Sequence, residues 1–150
     1  MSAANVLPVV PPPEMSAPDR ELLRIAQDLL AHVWTDNRHQ VATALRTLDG
    51  KIYTGVHIEG SCRRSSICAE GVAIGTARGG LPADAPLHFD AVVSVQIKPA
   101  GQFRIIAPCG VCRELISDYS PDARVWLTGE EGILAMPALD LLPHKTRRLW

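Results

Sequence analysis

The sequence predicts a layered α/β domain, and three observations carry that prediction. Helical and strand periodicities alternate along the chain, the pattern of a sheet covered by helices. Residues 90–97 (DAVVSVQI) are nearly all apolar, as a central strand buried on both faces requires. Apolar residues make up 47% of the 150, enough for one domain to close a sizeable core.

Residues 1–17 (MSAANVLPVVPPPEMSA) carry four prolines and almost no charge, so a flexible proline-rich tail is expected there, ahead of a domain spanning 18–150. Pro18-Asp19 opens a helix in which Leu22, Ala26, Leu29 and Val33 recur at three- and four-residue spacing. Asp19 and Glu21 stand in its first turn, where the helix dipole favours acids. Strands 41–48 and 51–58 follow as a hairpin, joined by the turn pair Asp49-Gly50. Strand geometry sends Ile52, Thr54, Val56 and Ile58 to one face, and Tyr53, Gly55, His57 and Glu59 to the other. A polar loop then reaches a helix from about Cys68 to Arg78, with Ser65 or Ser66 as its cap and Gly79-Gly80 as its stop. After strand 90–97, a short strand at 103–106 leads into Pro108-Cys109. A third helix runs from Cys109 to near Tyr119. Strands at 124–128 and 133–135 and a short helix at 137–142, with proline first, complete the domain.

Charge and composition exclude several classes. The net charge is −1 and no basic run is longer than a pair, so the stripe of a nucleic-acid binder is missing. No apolar stretch is long enough to span a bilayer. The N-terminus has no positive segment ahead of an apolar run, unlike a signal peptide. Four cysteines without a secretory context favour metal or redox chemistry over disulfides, and a cytoplasmic location.

The chemistry concentrates in Cys68-Ala69-Glu70 and Pro108-Cys109-Gly110-Val111-Cys112. Three thiolates bind zinc and leave its fourth position open, as a catalytic zinc requires. A carboxylate beside that position, Glu70, can shuttle protons between water and substrate. Thiols at helix N-termini gain from exposed N–H groups and the positive dipole end, which favour the thiolate. Zinc with three thiolates carries a net charge of −1, and Arg113, next to Cys112, is the candidate to offset it. Two other readings of the thiols stand beside this one. Cys62 offers a fourth sulfur, which would close a structural zinc site. Cys109 and Cys112 also have the spacing of a redox pair.

The segment TGVHIEGSCRRSSICAEGVAIGTA, together with APCGVCREL, resembles the cytidine deaminase family and its relative blasticidin S deaminase. The likeness runs from about residue 20 to Leu142-Pro143. It implies a three-layer α/β/α domain with a mixed five-stranded sheet, assembled as a homotetramer or dimer, with one zinc per chain. It further implies hydrolytic deamination of a free cytosine nucleoside, cytidine or deoxycytidine, to uridine or deoxyuridine and ammonia. In that frame Cys68, Cys109 and Cys112 hold the zinc and Glu70 moves protons. The ribose-binding Asn-x-Glu pair falls on His57-Ile58-Glu59, the aromatic flanking the base on His39, and Ala69 joins the substrate-binding set. Three departures stand out: His57 for asparagine, His39 for the aromatic, and Gly71 for an arginine, which places more weight on Arg113. They leave room for a modified cytosine nucleoside, a blasticidin S-like antibiotic or another aminated heterocycle as substrate. A different class is a non-catalytic zinc-binding protein of the same fold. In an assembly, Trp150 is a candidate to cover a neighbouring pocket.

Overall fold

The computed structural model describes residues 5–148, so the expectation for Trp150 lies outside the described residues. Helix α1 (Ala17–Val33) precedes a hairpin of β1 (Val41–Thr47) and β2 (Ile52–Val56). Then come α2 (Ala69–Gly79), β3 (Phe89–Ile97), β4 (Phe103–Ile105) and α3 (Gly110–Tyr119). β5 (Arg124–Gly129) and β6 (Gly132–Pro137) follow, with 3-10 turns at Arg63–Ser65 and Ala138–Leu141. The expected short helix at 137–142 is the second of these turns.

The sheet runs β2-β1-β3-β5-β6, five strands as the resemblance implied, with three-residue β4 added beside β3 as a sixth. It is mixed: β3 and β5 are parallel, and the other pairs antiparallel. One edge of β3 lies on β1. The other edge forks, with Ala91–Val93 pairing to β5 and Val95–Ile97 to β4.

Period-two alternation then builds two cores. Ala42, Ala44, Ala91, Val93 and Val95 face α1 and its Leu22, Ala26 and Leu30. Leu45, Val92 and Val125 face α2 and α3, through Ala73, Ala77 and Ile116. This is the three-layer α/β/α arrangement. Among the described residues no helix is long and apolar enough to cross a membrane.

Two features differ from expectation. The sequence predicts a loose tail over 1–17; residues 1–4 lie outside the described residues, but residues 5–16 run along the domain. Leu7 accepts from Phe103 N–H (2.9 Å) and donates to the Gly101 carbonyl (2.8 Å). Val9 N–H donates to Gln27 Oε1 (2.8 Å), and Met15 is buried in the α1 core. The prolines favour an extended path, and Val6, Val9 and Met15 use it to reach apolar surface.

Asp19 is not a solvated first-turn acid. It is 1% exposed and accepts from Arg46 Nη2 (2.8 Å), Arg124 Nε (3.1 Å) and Trp126 Nε1 (2.9 Å), tying α1 to β1 and β5. Burial pushes its carboxyl upward, but the bonds from Arg124, Arg46 and Trp126 outweigh this and hold it below the ordinary 3.8. A carboxyl depressed in the folded state contributes stability above its unfolded value and loses it as pH falls through the folded value. Asp19→Asn is therefore expected to cost about 1–3 kcal/mol near neutral pH, because Arg46 keeps its bonds to Asp90 while the buried acceptor loses its charge. Urea melts should show this gap shrinking once the pH drops below 3.8.

Candidate active site

Both helices that carry thiols begin at one. Cys68 occupies the N-cap of α2 and Cys109 that of α3, neither with a side-chain capping bond. Ser65 and Ser66, expected as caps, are engaged elsewhere: Ser65 Oγ donates to the Cys62 carbonyl (2.7 Å), and Ser66 Oγ donates to the Glu59 carboxylate. Cys112 lies in the first turn of α3 and is 1% exposed. The chain thus brings the sulfurs of Cys68, Cys109 and Cys112 within 4.8 Å of one another. Cys62 is exposed and stands outside this group.

The depth of α2 is set by Gly55 on β2. A Cβ there would meet the Ala69 carbonyl at 2.3 Å and the Ala73 nitrogen at 2.4 Å, so only a bare Cα permits the contact. Ala69 itself is wholly buried.

Ionisation differs among the three thiols. Burial raises Cys109, but N–H groups of Cys112 and Val111 and the thiols of Cys68 and Cys112 reverse this, and its net shift is downward. Cys68 moves upward through burial and its contact with Cys109. Cys112 moves far upward, through burial first and then the negative charges of Glu70, Cys68 and Cys109. Three thiolates beside a carboxylate repel one another, and a divalent cation removes that repulsion. Two sulfurs bound tetrahedrally to one zinc at about 2.3 Å stand about 3.8 Å apart. Cys68 Sγ and Cys109 Sγ are 3.6 Å apart, so the donor set fits zinc.

Glu70, in the first turn of α2, is 4% exposed. Its Oε1 accepts from Ser94 Oγ (3.0 Å) and its Oε2 from the Cys112 thiol (3.4 Å). Ser94 Oγ also lies 2.7 Å from Thr43 Oγ1. Neither hydroxyl was singled out from sequence, although Ser94 is the one small polar residue within an otherwise apolar stretch of its strand.

His39, His57 and Glu59 gather at the end of β2. His57 Nε2 is 3.6 Å from Glu59 Oε2, and the His57 carbonyl accepts from His39 Nδ1 (3.0 Å). His57 Nδ1 is buried with no hydrogen-bond partner. Between His57 and Glu59, Ile58 pairs with Ile67 through two backbone bonds of 3.0 and 2.9 Å. That bridge brings the pair alongside the residue preceding Cys68. Arg113 donates from Nε to the Pro108 carbonyl (2.9 Å) and from Nη1 to the Leu141 carbonyl (3.1 Å). Its guanidinium holds the backbone that leads into Cys109.

Such a sheet domain, with three thiols converging at its helix starts, is built to bind zinc. The chain belongs to the cytidine and deoxycytidylate deaminase family, whose zinc-binding region matches residues 16–128. It is 36% identical to the blasticidin-S deaminase of Bacillus cereus over 138 residues, which cover 89% of this chain and 96% of that protein. It is 31% identical to a cytidine deaminase of Halalkalibacterium halodurans over 109 residues, 71% of this chain and 76% of that one. The crystal structure of cytidine deaminase from Burkholderia pseudomallei aligns with a TM-score of 0.70 at 28% identity, covering 85% of this chain and 98% of its own. This chain is a zinc-dependent deaminase.

Proposed function

We propose that the chain hydrolyses the exocyclic 4-amino group of a cytosine nucleoside of the blasticidin S kind. One observation carries the chemistry: a buried carboxylate with one oxygen tied to Ser94 and the other to Cys112, one of three clustered thiols. Cys68, Cys109 and Cys112 would hold zinc, which when bound supplies a Lewis acid that makes water more acidic. Glu70 takes a proton from the attacking water at Oε2, delivers it to the ring nitrogen beside C4, and then relays the hydroxyl's proton to the departing amine. Water adds across the C4=N3 bond, its oxygen to C4 and one proton to N3; the hydroxyl's remaining proton passes to the amine as the C4–N bond breaks, giving ammonia and a 4-oxo product.

The choice of nucleoside rests on His57 and Glu59. An amide both donates and accepts at one position, whereas imidazole assigns each role to one ring nitrogen. Beside Glu59, His57 puts an imidazole where the family pattern has an amide, so the group it recognises differs from the one an asparagine would hold. The fuller coverage of blasticidin-S deaminase supports the same choice. Cytidine or deoxycytidine is the second reading, favoured by the retained Glu59 and the likeness to cytidine deaminases.

Ammonia release from zinc-loaded protein tests the choice against blasticidin S, cytidine, deoxycytidine and cytosine. The expected kcat/KM for blasticidin S exceeds that for cytidine by at least about tenfold. The reverse ratio selects the second reading; silence from these compounds and from a few aminopurines added to the panel favours a non-catalytic protein. The reading includes a homotetramer. Ile67, beside Cys68, and Val111, between Cys109 and Cys112, are 50% and 75% exposed, apolar surface for a partner chain to cover.

A further inference from the structure

Thr43 and Ser94 are out of place in the layer that contains them. The face of the sheet under α2 and α3 is otherwise built from Leu45, Val92 and Val125, and burying a hydroxyl there is costly unless it is bonded. Both residues are buried, 0% and 3% exposed. They sit directly opposite each other in the β1–β3 register. Their oxygens are 2.7 Å apart, and Ser94 Oγ is 3.0 Å from Glu70 Oε1.

The direction of the chain follows from proton counting. A carboxylate only accepts, so the single proton of Ser94 goes to Glu70. The short Oγ–Oγ contact then needs a proton from Thr43. Thr43 donates to Ser94, and Ser94 donates to Glu70. Each hydroxyl is satisfied, and the series ends on one oxygen of one acid.

Ser94 also occupies the fork in β3. Val93 is the last residue paired to β5 and Val95 the first paired to β4. The Ser94 carbonyl accepts from Ile106 N–H (3.0 Å), on the segment leading to Cys109. One residue therefore touches both Glu70 on α2 and the approach to the thiols of α3.

We propose that Ser94, backed by Thr43, is a positioning residue that locks the rotation of the Glu70 carboxylate. The inference rests on the reading of Glu70 as the proton carrier. The last torsion of a glutamate is broad and nearly two-fold, so packing alone holds it weakly. With Oε1 held by Ser94, Oε2 is the oxygen presented to the thiols. Without the hydroxyl, the carboxylate turns and spends part of its time misdirected.

The test compares Ser94→Ala, Thr43→Val, Thr43→Ser and Glu70→Ala, with the Glu70→Ala/Ser94→Ala double variant, all zinc-loaded. Ser94→Ala is expected to lose roughly 10- to 100-fold in kcat with KM nearly unchanged and zinc retained. Thr43→Val loses less, and Thr43→Ser, which restores the hydroxyl, regains the rate. Ser94→Ala adds no further loss once Glu70 is alanine, because it acts through that acid. An unchanged kcat in Ser94→Ala, or a loss that persists in full on the Glu70→Ala background, overturns the proposal. The Thr43→Val and Thr43→Ser pair decides it if Ser94→Ala does not fold: equal rates in the two overturn it. A crystal structure of Ser94→Ala, or of Thr43→Val in that event, gives a readout independent of turnover. A turned Glu70 carboxylate supports the proposal, and an unmoved one overturns it. Wild-type protein that releases no ammonia would instead defeat the deaminase reading, and the crystal structure would still judge the lock.

Discussion

Glu70→Ala is expected to remain folded and to keep its zinc while turnover falls by about 10²–10⁴. The three sulfurs do not depend on Glu70 for their placement, because Cys68 and Cys109 are fixed as helix caps and Cys112 by the α3 core. Removing the carboxylate also removes a buried charge, so the lost packing is partly offset by relief of desolvation. The hydroxyl of Ser94 then loses its acceptor, a penalty of about 1–3 kcal/mol that should appear as a lower melting temperature without loss of metal. Glu70→Gln separates the effects: its amide oxygen still accepts from Ser94, yet it cannot carry the proton. Ammonia release and metal content, measured on the same samples, check the result. Turnover within a few-fold of wild type in both variants would remove Glu70 from the reaction.

Cys112→Ser is expected to lose zinc and, with it, much of the stability that zinc supplies. A ligand bound only by the folded state stabilises it by about 4 kcal/mol at a thousand times its dissociation constant, and that increment disappears with the site. Cys112 is 1% exposed, so the serine hydroxyl would also replace a sulfur in apolar surroundings. Cys62→Ser is the control and should keep a full complement of metal, because Cys62 is exposed and outside the cluster. Loss of zinc in that control would mean a closed four-sulfur site. Acid should weaken binding for the same reason. Burial and neighbouring negative charge push the Cys112 thiol upward, so zinc must displace its proton, and falling pH favours the proton. Proton release on zinc addition, followed with an indicator dye, measures the effect.

What was legible in the sequence was local. The two cysteine motifs mark helix starts, although the N-caps prove to be Cys68 and Cys109 themselves rather than Ser65 or Ser66. The apolar run 90–97 marks β3 because burial on both faces leaves no alternation to read. What was missed depends on partners distant in sequence. Asp19 looks like a first-turn acid until β1 and β5 bring Arg46 and Arg124 to it. Ser94 looks like a tolerated polar residue until Thr43, 51 positions away, is placed opposite it. The proline-rich segment reads as loose because its prolines remove backbone donors, and only the finished core shows where its apolar side chains fit. Arg113 follows a metal-site cysteine in sequence, yet its bonds go to carbonyls at Pro108 and Leu141, which adjacency does not reveal.

The close seat of α2 on β2 also restricts how this lineage can drift. Surface positions in such a domain accept most replacements, but at Gly55 even a methyl group would drive the first turn of α2 outward and carry Cys68 and Glu70 with it. Descendants that diversify their substrate pocket must do so around a spot that stays without a side chain.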